Sequence, residues 1–154
     1  MGDEIVPLLQ LHDIHNDNFR TFPRLRIGDS TYYCMRYQNA KTRNDCVVSF
    51  LQEDNNISYG SVIVFLESGN LKYAILQKYE VEAFTLENEM KNAITMPNLR
   101  KYLDKPLCPH IVKKTGCIGK IVLPIQSLRK KCVMIELDKD HLYISCPPNL
   151  LEHN

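Results

Sequence analysis

The chain has 154 residues, of which 24% are charged and 44% hydrophobic, and a formal net charge of +1. That length suits one domain able to bury roughly 68–70% of its unfolded surface, and the composition is that of an ordinary globular protein. No apolar run approaches the roughly 20 residues a membrane-spanning helix needs, and the first residues lack a basic region followed by an apolar one; no membrane association is expected, and the expected location is intracellular.

Residues 1–22 read as a unit apart, either a partly ordered arm or the end of a linker. Ile5, Leu8, Leu9, Leu11 and Ile14 form a short helical stripe there, limited by Pro7 and by the polar run 12–18. A single β-rich domain is expected over 23–154. Arg24 opens an extended pattern, residues 27–30 read as a turn, and 31–37 as a strand. A polar loop at 39–44 leads to a strand at 46–51, and a second polar turn at 52–56 follows.

Residues 58–67 and 71–79 form the clearest pattern, two long strands joined by Ser68-Gly69-Asn70. A three-residue loop puts Phe65 opposite Tyr73, Ile63 opposite Ile75 and Tyr59 opposite Tyr79, pairs of the kind that hold antiparallel strands in register. Residues 62–66 are apolar at every position, which marks a central strand covered on both sides.

The β rhythm breaks at about 85–104, where a small helical insertion is expected. Thr85 would cap a helix running to Met90 or Ala93, and Pro97 would start another with Leu99, Tyr102 and Leu103 on its inner face. Strands resume at 111–113, 117–123 and 131–137, the last with Val133, Ile135 and Leu137 alternating with Cys132, Met134 and Glu136, the pattern of a half-buried strand. A turn at 138–141 and a strand at 142–146 end the sheet before Pro147-Pro148. The fold expected is mainly β: an antiparallel β-barrel or strongly bent sheet of six to eight strands.

Charge is distributed unevenly. Residues 72–131 carry 12 basic and 5 acidic side chains, whereas 1–71 carry 6 and 9, and 132–154 carry 1 and 4. A local excess of this size attracts polyanions even when the total is near zero. If strands 117–123 and 131–137 pair, Lys113, Lys114 and Lys120 fall beside Arg129, Lys130 and Lys131 as one nucleic-acid-binding face.

No catalytic, metal or cofactor site stands out. His12, Asp13, His15 and Asp17 are metal-ligating types, but they sit in the polar arm. Cys108, His110 and Cys117 match no common zinc spacing, and the chain has no Cys-x-x-Cys pair. No cysteine follows a glycine-rich elbow or opens a helix. Six cysteines, four of them inside strand-like segments, read as reduced thiols. Tyr32, Tyr33, Tyr37, Tyr59, Tyr73 and Tyr79 read as cross-strand packing rather than as an aromatic cage for a methylated ammonium.

Arg26-Ile27-Gly28-Asp29-Ser30-Thr31-Tyr32-Tyr33 resembles the opening strand of bromo-adjacent-homology-like barrels of chromatin proteins. Three blocks look like the β-rich terminal module of animal transposon-derived proteins: Tyr59-Gly60-Ser61-Val62-Ile63-Val64-Phe65, then Leu123-Pro124-Ile125 through Cys132-Val133, and Pro148-Asn149-Leu150-Leu151-Glu152. The resemblance spans about residues 24–152 and implies a non-catalytic binding domain of a DNA-associated, nuclear protein. The favoured expectation is therefore an interaction module binding nucleic acid, a chromatin protein or an acidic protein surface, with no cofactor. A self-association module pairing through a strand edge is the alternative, and an enzyme with an unrecognised Cys/His site the third class.

Overall fold

The computed structural model describes residues 7, 9, 10, 14, 19–35, 37, 46–85 and 105–147. Ten strands form: β1 Phe19–Phe22, β2 Arg24–Ile27, β3 Ser30–Tyr33, β4 Val47–Leu51, β5 Ile57–Ser68, β6 Leu71–Ala83, β7 Ile111–Pro124, β8 Leu128–Lys131, β9 Val133–Asp138 and β10 His141–Ser145. β2 and β3 make a separate hairpin. The other eight strands form one sheet in the order β8-β4-β5-β6-β7-β10-β9, with β1 also paired to β5.

β5 is long enough to serve two partners on one edge: β4 along Ile57–Ser61 and β1 along Phe65–Ser68. β8 and β9 are consecutive pieces of chain separated by Cys132. β8 pairs with β4 and β9 with β10, so the two ends of the sheet are joined through the chain itself. The result is a nearly closed antiparallel barrel, as the sequence pattern led one to expect. Of the expected helical insertion, only Thr85 falls among the described residues; it bridges to Pro106.

The β5–β6 turn differs from the three-residue loop expected. Ser68 pairs with Leu71, leaving Gly69-Asn70 as a two-residue turn. Gly69 supplies the positive φ of 60° that such a tight turn asks of its first position. Near the turn, Phe65 therefore faces Ala74, and Leu66 faces Tyr73. A bulge at Ile63 then absorbs one residue, and Val62↔Leu76 and Gly60↔Lys78 fall in the expected register. The strands expected at 111–113 and 117–123 are one strand, kept continuous by two register shifts against β6.

Burial follows from the alternation of side chains along these strands. Val62 and Phe65 turn into the barrel with Val48, Phe50, Leu76, Leu123 and Leu128, and Leu25 and Tyr32 of the β2–β3 hairpin close over them. Leu66, Ile75 and Val122 face the other way and are covered by Leu9 and Ile14, both buried. Phe19–Phe22 thus contribute a strand, and Leu9 and Ile14 a cover for the outer face of the sheet. A third cluster, with Val47, Tyr79, Cys132 and Ile144, fills the other end.

Two expectations are corrected here. Cys132 and Cys146 are joined by a disulfide, their Cα atoms 4.4 Å apart, because the β9–β10 pairing brings the residues flanking that hairpin side by side. The other four cysteines are in no disulfide: Cys34 and Cys46 are buried, Cys108 is half-buried and Cys117 is exposed. The strand expected at 131–137 to be half-buried is also more exposed than that: within β9 only Met134 is half-buried. The Val133, Ile135 and Leu137 face is 43%, 38% and 70% exposed.

Phe65→Ala and Leu66→Ala, on opposite faces of β5, should each cost about 2–5 kcal/mol in denaturant unfolding, whereas Lys72→Ala should stay within about 0.5 kcal/mol. Gly60→Ala should destabilise as well, because a Cβ there lies 2.5 Å from the Gln77 carbonyl oxygen. A mild Leu66→Ala would show that the outer face of β5 is not covered in solution. Alkylation of the denatured, unreduced chain should modify the four cysteines outside the disulfide, and reduction should lower stability by about 3 kcal/mol, as expected for a loop of this length.

Candidate nucleic-acid interface

Side chains at adjacent strand positions point to opposite faces, and this separates the six cations expected to act together. β7 pairs with β6 and β10, not with β9. Lys113 pairs with Glu82 of β6, its Nζ 4.0 Å from the carboxylate. Lys114 stands on the opposite face, its Nζ 4.4 Å from the centre of the Tyr79 ring. Lys120 and Arg129 line an open cleft of about 880 Å³ with Phe50, Ile121 and Pro124, where Glu53 and Asp54 offset their charge. Asp54 is held below the usual carboxylate range by hydrogen bonds from the Asn56 backbone and side chain. Lys130 is exposed on β8 opposite Ser49. The expected single face of Lys113, Lys114, Lys120, Arg129, Lys130 and Lys131 does not form.

Lys131 leads elsewhere. Its Nζ sits 5.7 Å from the centre of the Tyr33 ring on β3, and Tyr33 packs against Tyr37 with ring centres 4.8 Å apart. Tyr33 lies opposite Arg24 in the β2–β3 hairpin, and Thr31 opposite Arg26. Cross-strand partners share a face, so both arginines stand on the side of the hairpin that carries Tyr33, while Leu25 and Tyr32 face the core. Gly28, with φ of 58°, makes the tight turn that permits this pairing, and its carbonyl accepts a hydrogen bond from Arg26 Nε at 3.1 Å.

Arg24, Arg26, Thr31 and Tyr33 line one cleft of about 500 Å³ together with Phe22, Glu67 and Lys72. Arg20 of β1 pairs with Glu67, and Glu67 with Lys72 across the next strand; the Lys72–Glu67 ion pair measures 3.8 Å. Arg24, Arg26 and Lys72 line this cleft with Glu67 as the carboxylate in its wall, while Arg20 adjoins it as the strand partner of Glu67 and Lys131 through the Tyr33 ring. Of these cations the sequence reading singled out Lys131 alone. The Arg-x-Arg alternation at 24–26 was the available signal, since a period of two places both guanidinium groups on one face.

Among the described residues, no group of three or more His, Cys, Asp and Glu side chains is placed to hold a metal ion. His12, Asp13, His15 and Asp17 lie outside the described residues. At the other end of the barrel the hydroxyls of Ser61 and Tyr79 share a buried hydrogen bond. Burial raises the Tyr79 pKa above that of a free phenol, with the Ser61 hydrogen bond opposing, so the phenol is protonated at neutral pH and is not a base. Among the described residues no helix is long and apolar enough to cross a membrane. Comparison with known protein families, with curated proteins and with solved structures finds no match to this chain.

A raised tyrosine pKa means the folded state holds its proton longer than the unfolded one. The contribution of Tyr79 to stability should therefore be flat below about pH 10 and fall as pH rises through the ordinary tyrosine value. Tyr79→Phe removes part of that alkaline slope while costing about 1–3 kcal/mol at pH 7 through the unpaired Ser61 hydroxyl; urea midpoints at both pH values measure the two effects.

Proposed function

We propose that this chain is a non-catalytic interaction module of a nuclear, DNA-associated protein, and that it binds nucleic acid through the cleft beneath the β2–β3 hairpin. The observation that carries this reading is the position of Lys131 over Tyr33, which brings one cation of β8 to the hairpin holding Arg24 and Arg26. Cations from four separate stretches of chain converge there around one glutamate. Guanidinium and ammonium groups arranged this way contact phosphates and do not read sequence, because base-edge contacts specify and phosphate contacts position. The rings of Phe22 and Tyr33 make the cleft a partly apolar surface on which a sugar or base can lie. The likeness to transposon-derived modules points the same way, and an acidic protein surface is the partner of comparable chemistry.

If all five cations are engaged on duplex DNA, log affinity should fall against log salt with a slope of about −4.5, and of about −3.5 on a single strand. Arg24→Glu with Arg26→Glu should weaken binding about tenfold or more for every sequence tried, with melting unchanged. Lys113→Glu, remote from the cleft, should leave affinity nearly as it was. Absence of binding to DNA and RNA at low salt would falsify this reading and make an acidic protein the partner to seek.

A further inference from the structure

The cleft beside the β2–β3 hairpin holds more than phosphate contacts require. Side chains two apart on a strand share a face, so Glu67 stands on the inward side of β5 with buried Phe65, at the turn end of the strand. Phe22, the strand partner of Phe65, and Lys72, the partner of Glu67, belong to the same side. The cleft is thus a mouth of the barrel, and its volume of about 500 Å³ suits one small-molecule-sized unit. Two of its features do nothing for phosphates. Glu67 sets a negative charge among Arg24, Arg26 and Lys72, which weakens the hold on any polyanion. Among the described residues its carboxylate is paired with Lys72 at 3.8 Å, longer than a charge-assisted hydrogen bond, so its oxygens keep their capacity as acceptors. The rings of Phe22 and Tyr33 line the same cleft and offer faces for stacking. Arg26, whose Nε donates to the Gly28 carbonyl at 3.1 Å, keeps its terminal nitrogens for a ligand.

We propose that this cleft takes single-stranded nucleic acid, with one unpaired base stacked on its rings and the Watson–Crick edge of that base donating to Glu67. This ligand class rests on the nucleic-acid reading of the same cleft. In a duplex the base faces are stacked and the Watson–Crick donors are paired, so the rings and the carboxylate find no partner. An unstacked base supplies both. Arg24 and Arg26, about 6.8 Å apart along β2, take the phosphates beside it. Guanine fits best, because two of its N–H groups lie side by side and match the two oxygens of a carboxylate. Adenine and cytosine bring an amine alone. Thymine and uracil are disfavoured, because their one ring N–H lies between two carbonyl oxygens that face the carboxylate.

Fluorescence anisotropy on the whole chain at low salt, with labelled oligothymidine carrying or lacking one central guanine, measures the preference. The guanine strand should bind about tenfold tighter than oligothymidine, and tighter than the duplex it forms with its complement. Ribo- and deoxyribo-forms of that strand are compared, and the tighter of the two identifies the strand the cleft takes. Glu67→Ala separates the two roles of the carboxylate by sign. It should weaken the guanine strand to the level of oligothymidine, while oligothymidine itself binds as tightly as before or tighter, which also shows the variant to be folded. Tyr33→Leu keeps apolar bulk without a ring and should weaken the guanine strand about fivefold or more. If Glu67→Ala tightens both strands alike, or if the duplex binds as tightly as the guanine strand, the base contact is overturned and the phosphate reading stands. Absence of binding to any strand overturns both.

Discussion

The change of partner at Cys132 is the constraint on which this architecture rests. The chain leaves β4 and takes up β10 within one residue, so a single run from Leu128 to Asp138 belongs to both ends of the sheet. Sheets of this size twist, and here the ends of the twisted sheet are joined by a strand run that passes from one to the other. Cys132 makes that crossing with its N–H bonded to Val47 and its side chain buried. The same bend carries Lys131 to Tyr33 on one side and leaves β9 facing outward on the other. The proposed cleft is a product of it.

A second dependence runs through β5. Its length gives one strand two neighbours on the same edge and two buried faces, one inside the barrel and one under Leu9 and Ile14. The bulge at Ile63 reconciles these duties. It lets a two-residue turn at Gly69-Asn70 coexist with the register of the far half, which no unbroken ladder does.

Much of this was legible before any coordinates. The apolar run 62–66 gave a strand covered on both faces, and the turn residues gave the strand boundaries, because backbone chemistry at Gly28, Gly69 and the Asp138–His141 turn is local. Register near a bulge was not legible, since one extra residue at Ile63 leaves no mark in composition. The cation face failed for a different reason. It assumed that strands close in sequence pair, whereas β7 and β9 are separated by β10. Arg20, Arg24, Arg26 and Lys72 are brought together by three different pairings, and no spacing along the chain encodes that. The disulfide depended on the same long-range knowledge, as did the exposure of the Val133 face.

The covalent link between Cys132 and Cys146 spans the base of the β9–β10 hairpin and does not cross the seam between β4 and β8. Val48 must find Lys131 across more than half the chain, and such distant pairings are slow to form because the loop entropy is lost before the contact is gained. The seam is therefore expected to close last, after the hairpins have assembled, and to open first. Its loss would free β8 and leave β4 held by β5 alone while the stapled hairpin stays whole, giving a partially open barrel rather than an unfolded chain. Amide exchange fast at Ser49 and Lys130 and slow at Ile144 would be its signature.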